Sequence, residues 1–117
     1  MELSGEKNGN VLSIRRREIQ AMKDTVQFDL GRVVATRGVH DEFDIFEIHQ
    51  MLHRHASGDW GDLEDEDKRA NDEAVHDGSR ILSRYDLSGD RSAYVITEAT
   101  DDLGRRSYTT VLLPSEY

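Results

Sequence analysis

The chain contains no cysteine. That excludes disulfides, thiolate nucleophiles and sulfur-ligated zinc, and it fits a reducing compartment. No apolar run approaches the roughly 18 residues of a membrane span. Met1 to Asn10 is polar and lacks the apolar h-region of a secretory signal. A cytoplasmic protein without membrane association is therefore expected. The chain has no phosphate loop, no Gly-x-Gly-x-x-Gly turn and no Gly-x-Ser-x-Gly elbow, so it carries no motif for nucleotide binding or hydrolase chemistry. Its single proline, Pro114, stands where a β-run ends, and its single tryptophan is Trp60.

A length of 117 residues suits one domain with a modest core, and is short for a core plus a deep cofactor cleft. No cofactor is expected. The net charge is −9, unevenly spread. Residues 41–78 hold 13 Asp and Glu against 3 Lys and Arg, a net of −10. Residues 1–40 carry +2 and residues 79–117 carry −1. A field of that sign repels phosphates and attracts basic surfaces, and it also serves as a solvated face.

Residues 1–25 read as an arm, flexible or extended, with sparse apolar residues and turn formers at Ser4, Gly5, Asn8, Gly9 and Asn10. Val11–Ile14 fits a short strand, or one face of a helix continuing through Ile19 and Met22. Arg15, Arg16 and Arg17 make a small basic cluster. Residues 26–117 read as one α+β domain. Val33-Val34-Ala35 is a β-branched run after Gly31, with Val33 and Ala35 on one face. From Asp41, a plausible N-cap, Phe43, Ile45, Phe46, Ile48, Met51, Leu52 and His55 recur at spacings of three and four, which predicts a helix to about His55. A second helix is predicted over 63–77, closed by Gly78 and thinly apolar at Leu63, Ala70, Ala74 and Val75. Glu64–Lys68 is a favourable i,i+4 pair. From Arg80 the period becomes two. Three runs joined at Ser88-Gly89-Asp90 and Asp101–Gly104 predict an antiparallel meander. The expected architecture is β-α-α-β-β-β, with two consecutive helices on one face of an antiparallel sheet. Where the first strand joins is left open, and so is an exposed sheet edge that would pair two copies into a homodimer.

His49 and His53 stand one helical turn apart, a zinc spacing. The position that would supply a general base is Gln50, and no third ligand is evident, so no metal site is expected. Asp62, Glu64, Asp65, Glu66 and Asp67 lack the mid-loop glycine of a calcium loop. Trp60, in the joint between the helices, reads first as a packing anchor whose N–H finds a carboxylate or carbonyl. Were the joint exposed, it would belong with the acids around it.

Leu30–Thr36, His55–Leu63, Glu66–Asn71, Val95–Ala99 and Thr109–Tyr117 together resemble a family of short, uncharacterised bacterial proteins often encoded on plasmids and other mobile elements. The resemblance covers residues 28–117. It implies a bacterial or phage-borne cytosolic protein and assigns no catalytic residue. Mobile elements often carry small acidic proteins that block restriction or CRISPR machinery by occupying a nucleic-acid groove. The leading expectation is accordingly a non-enzymatic module that binds a basic protein surface, and not nucleic acid directly. Asp59, Trp60, Asp62, Glu64, Asp65, Glu66 and Asp67 would form its contact. The alternative is a small hydrolytic domain. The element order resembles the RelE/barnase-type ribonucleases, with a spread set of His55, Arg80, Thr97, Thr109 and Tyr117, in which His55 would act as base, Arg80 on the phosphate and Thr109 as a hydroxyl donor. Arg80, Arg84, Arg91, Arg105 and Arg106 would then make a basic sheet face.

Overall fold

The computed structural model describes the backbone of residues 7–8, 11–13 and 26–117, and the side chains of 26–117. The Arg15–Arg17 cluster and the helical reading through Ile19 and Met22 lie outside the described residues. Two short strands from the expected arm, β1 (Lys7–Asn8) and β2 (Val11–Ser13), pair antiparallel beside β3 (Arg32–Thr36). Three helices follow: α1 (Arg37–Glu42), α2 (Ile45–Ala56) and α3 (Asp65–Asp77). The meander is β4 (Ile81–Leu87), β5 (Arg91–Thr97) and β6 (Tyr108–Leu112), before a 3-10 turn at Pro114–Glu116.

The architecture is α+β. The sheet runs β1-β2-β3-β6-β5-β4. The meander is antiparallel, and β3 joins it alongside β6 in parallel, with Val33 opposite Thr109 and Ala35 opposite Val111. That placement answers the question the sequence left open, and makes the sheet mixed. A parallel pair needs a long crossover. Here three helices and two strands supply it.

Alternation sorts the strand side chains onto two faces. Val33, Ala35, Ile81, Tyr85, Ala93, Val95 and Val111 face inward, against Val39 of α1, Ile48, Met51, Leu52 and Ala56 of α2, and Ala74 of α3. The expected single helix from Asp41 is two helices with a break at Phe43-Asp44. Asp44, not Asp41, caps α2: its carboxylate accepts the Glu47 amide at 2.9 Å while the Glu47 side chain accepts the Asp44 amide at 3.0 Å. This reciprocal box satisfies two orphan donors at the helix start. Breaking there buries Phe43 while turning Phe46, which was expected on the apolar stripe, outward to 68% exposure.

Candidate functional site

The joint between α2 and α3 is fastened to the outer edge of β4, the last strand of the sheet. The Arg84 amide donates to the Trp60 carbonyl (3.2 Å), and the Asp62 amide donates to the Arg84 carbonyl (2.7 Å). The Asp86 amide donates to the Asp62 carboxylate at 2.9 Å. One residue pair further along, Asn71 of α3 brackets Leu82, donating to its carbonyl at 2.7 Å and accepting from its amide at 3.2 Å. Leu82, Arg84 and Asp86 thus have partners on the side away from β5. This edge is closed, which removes the sheet edge considered for a homodimer at β4. Gly61 permits the close approach. Its φ is +78°, and a Cβ there would lie 2.0 Å from the Arg84 carbonyl oxygen.

Trp60 is 4% exposed, and its indole N–H donates to Asp72 at 2.8 Å. It is a packing anchor and offers no surface to a partner. Asp59 is occupied as well: Arg54 Nε reaches it at 2.7 Å, and it accepts the Gly61 amide at 3.1 Å. These bonds hold its carboxyl below the usual carboxylate range. Of the seven expected contact residues, Asp59, Trp60 and Asp62 therefore build the joint. Glu64, Asp65, Glu66 and Asp67 are exposed and make no ion pair within 4 Å among the described residues, and the expected Glu64–Lys68 bridge does not form.

These four are consecutive, so at about 100° per residue they fan around the start of α3 and share no face. One exposed row at helical spacing carries three carboxylates around an alanine, Glu66, Ala70, Glu73 and Asp77, of which Asp77 also accepts the Ser79 amide at 2.8 Å. Glu73 and Asp77 were absent from the expected contact set. Their positions seven and eleven after Glu66 were the signal that marked them.

His55 is fully buried, at 0% exposure. Its Nδ1 lies 2.6 Å from Ser83 Oγ and its Nε2 lies 2.8 Å from Thr97 Oγ1. Thr97 Oγ1 is 2.6 Å from Thr109 Oγ1, which donates to the Leu30 carbonyl at 2.7 Å. Each hydroxyl has one proton, so the direction of the chain is fixed. Thr109 spends its proton on Leu30, Thr97 must donate to Thr109, and His55 must donate to Thr97 from Nε2. Nδ1 is then bare and accepts from Ser83. Burial first, and the nearby Arg106 guanidinium second, push the imidazole down to about 3, so it is neutral near pH 7. The edges and faces of Phe28 and Trp60 close over it, with ring centroids 5.3 Å and 5.9 Å away.

Of the alternative catalytic set, His55 and Thr109 come together through Thr97, but in the sealed interior. Arg80 lies across the sheet. It donates to the Tyr117 hydroxyl at 2.7 Å, and the Tyr117 ring packs 5.3 Å from Tyr94 on the outer face. The other arginines of the expected basic face are engaged. Arg84 pairs with Asp86 at 2.9 Å, Arg91 with Glu47 at 2.8 Å and Arg105 with Asp101 at 3.6 Å. Arg106, 6% exposed, donates to the carbonyls of Ser79, Glu98 and Ala74. There it meets the negative end of α3. His49 is buried and His53 exposed, and among the described residues no group of three or more His, Cys, Asp or Glu side chains is placed to hold a metal ion.

No family model, curated protein or solved structure matches the chain.

Proposed function

We propose that the protein is a non-enzymatic binding module whose acidic ridge on α3 engages a basic surface of a partner protein. The carrying observation is the pairing of Glu73 with Asp77 at i,i+4 in the second half of an exposed helix. The carboxylates at 64–67 have a structural explanation, because they meet the positive end of the helix dipole. Glu73 has none. It repels Asp77 and faces the negative end of the dipole, at a cost of about 0.3–0.5 kcal/mol for the like-charge pair. Charge kept at a cost is what a contact surface for a cationic partner calls for. From Glu66 to Asp77 the ridge runs about 16 Å at 1.5 Å per residue. In keeping with the resemblance to proteins of mobile elements, the partner class proposed is a nucleic-acid-handling defence enzyme, engaged at its Lys/Arg-lined channel.

Support also comes from how the enzyme-like residues are used. His55 and Thr109 are committed to internal hydrogen bonds, and Arg80 stands on the opposite face. No observation favours the hydrolytic reading.

The test is a pull-down from bacterial lysate at low and high salt, with wild type and the triple variant Glu66→Gln, Glu73→Gln, Asp77→Asn. Capture that weakens steeply with salt and is lost in the triple variant is the expected result. Capture unaffected by both would reject the reading.

A further inference from the structure

We propose that the Ser83–His55–Thr97–Thr109 chain is a proton-operated latch, in which uptake of a second proton at His55 Nδ1 releases the Ser57–Asp62 joint from the β4 edge. The closed state has no place for that proton. Nδ1 already accepts from Ser83, and Nε2 already donates to Thr97. A proton on Nδ1 would force Ser83 to turn around, and would leave a cation in the core.

No opposite charge faces it. From the loop before β6, Arg106 adds a second positive charge, its guanidinium carbon 5.6 Å from the Phe28 ring that covers His55. From β4, Tyr85 is kept neutral, since burial raises its hydroxyl above the usual range. From the joint, Asp59 turns outward to Arg54 and Asp62 to the Asp86 amide. From α3, Asp72 is held by the Trp60 indole, and from the segment before β3, Asp29 by the Gly31 amide. β5 and β6 offer only Thr97 and Thr109. A buried cation without a counter-charge must reach water or lose its proton.

The route to water determines what moves. His55 lies in the last turn of α2, one residue before the end of the helix, and the joint follows directly. One of the two rings closing over the imidazole is Trp60, whose carbonyl holds the Arg84 amide. The way past Phe28 leads toward the Arg106 guanidinium, 5.6 Å from the centroid of that ring, so a charged imidazole leaves past Trp60 and pulls on the three hydrogen bonds that Trp60 and Asp62 make with Arg84 and Asp86. With the closed state near 3 and a free imidazole near 6.5, opening is favoured about tenfold more for each pH unit below 6.5.

The experiment is amide hydrogen exchange by NMR on the full chain from pH 7 to pH 5, corrected for intrinsic exchange chemistry. This window lies above the carboxylate range, and the Arg54 hydrogen bond holds Asp59 lower still, so that carboxylate does not titrate within it. The expected result has two parts. The Asp62, Arg84 and Asp86 amides open with constants at least about tenfold above those of Val95 and Val111 in the central strands, the mark of a local event. Those constants also rise about tenfold per pH unit below 6.5. In His55→Gln the rise is absent at the same amides. Wild-type imidazole 15N shifts should report the Nε2–H tautomer at pH 7, which keeps the test decisive if that variant does not fold. Edge amides that open independently of pH would overturn the latch. So would edge amides that open only together with Val95 and Val111, or a folded-state imidazole protonated at Nδ1.

Discussion

At Gly61 and Gly104 the backbone takes nearly the same left-handed conformation, with φ of +78° and +76°, in opposite surroundings. A Cβ at Gly61 would meet the Arg84 carbonyl and the Tyr85 ring, whereas at Gly104 nothing lies within 4 Å. Gly104→Ala should cost about 1 kcal/mol, the backbone term alone. Gly61→Ala adds an overpacking term and should cost roughly 2–4 kcal/mol. Urea denaturation followed by Trp60 fluorescence compares the two directly, and equal losses would contradict the packing at the joint. His55 supplies the pH counterpart. Its folded value lies below that of the unfolded chain, so between 6.5 and about 3 the unfolded state binds the extra proton. Stability is complete above 6.5 and should fall by about 1.4 kcal/mol per pH unit as the solution is acidified through that window. Denaturation midpoints at pH 7, 6 and 5 check the slope, and His55→Gln should flatten it. The burial of His55 was legible in the sequence, because it falls on the same helical spacing as Met51 and Leu52. Its role was not. Ser83, Thr97 and Thr109 converge on one imidazole only after three strands have paired, and pairing register is a long-range property.

Among the elements, α3 buries a single apolar side chain, Ala74, and is held to the sheet by two polar clamps. Asn71 brackets Leu82 in β4, and Arg106 gathers the Ala74 carbonyl near the C-terminal end of α3 together with those of Ser79 and Glu98. Asn71→Ala should cost about 2 kcal/mol, since it strands an amide and a carbonyl at once. It also reopens part of the edge of β4, so self-association should rise, which sedimentation velocity would detect. Asn71→Asp keeps the acceptor for the Leu82 amide but sets an anion against its carbonyl, and should be no better than alanine. The close of α3 was readable from local chemistry at Gly78, φ +85°, whereas its start, expected at residue 63, falls at Asp65 behind Glu64, because Asp59 and Asp62 are spent on the joint. The start of α2 was misplaced because Asp41 and Asp44 are both capping residues. The deciding feature, Glu47 three residues after Asp44, was present in the sequence as the capping-box spacing. The arginines illustrate the limit of local reading. Alternation places Arg84 on a strand face, but the sequence does not show that Asp86 lies 2.9 Å away, or that Arg106 turns inward.

For the molecule as a whole, the −10 of residues 41–78 divides into carboxylates that hold the fold and carboxylates that only meet solvent. Asp44, Glu47, Asp59, Asp62 and Asp72 belong to the first kind through the bonds described above. Glu66 and Glu73 belong to the second. Neutralising Glu73 should therefore stabilise the protein while weakening partner capture. Glu73→Gln relieves the Asp77 repulsion and the unfavourable dipole position and loses the attraction of Arg69, for an expected net gain of about 0.2–0.5 kcal/mol, an opposition of stability and function. Thermal denaturation at low salt measures it, and the gain should shrink in 0.5 M salt as screening removes the repulsion.

The insertion of β6 between β3 and β5 also orders events in time. β3 lies over 70 residues ahead of the strand that flanks it inside the sheet, so a ribosome-bound chain lacking β6 has helices, a β4–β5 hairpin and no central strand to unite them. Loop closure of that length is slow. A chain truncated after Leu103 should stay unfolded, its Trp60 emission that of a solvated indole. Folding of this protein is thus expected to wait for the last strand to emerge from the exit tunnel.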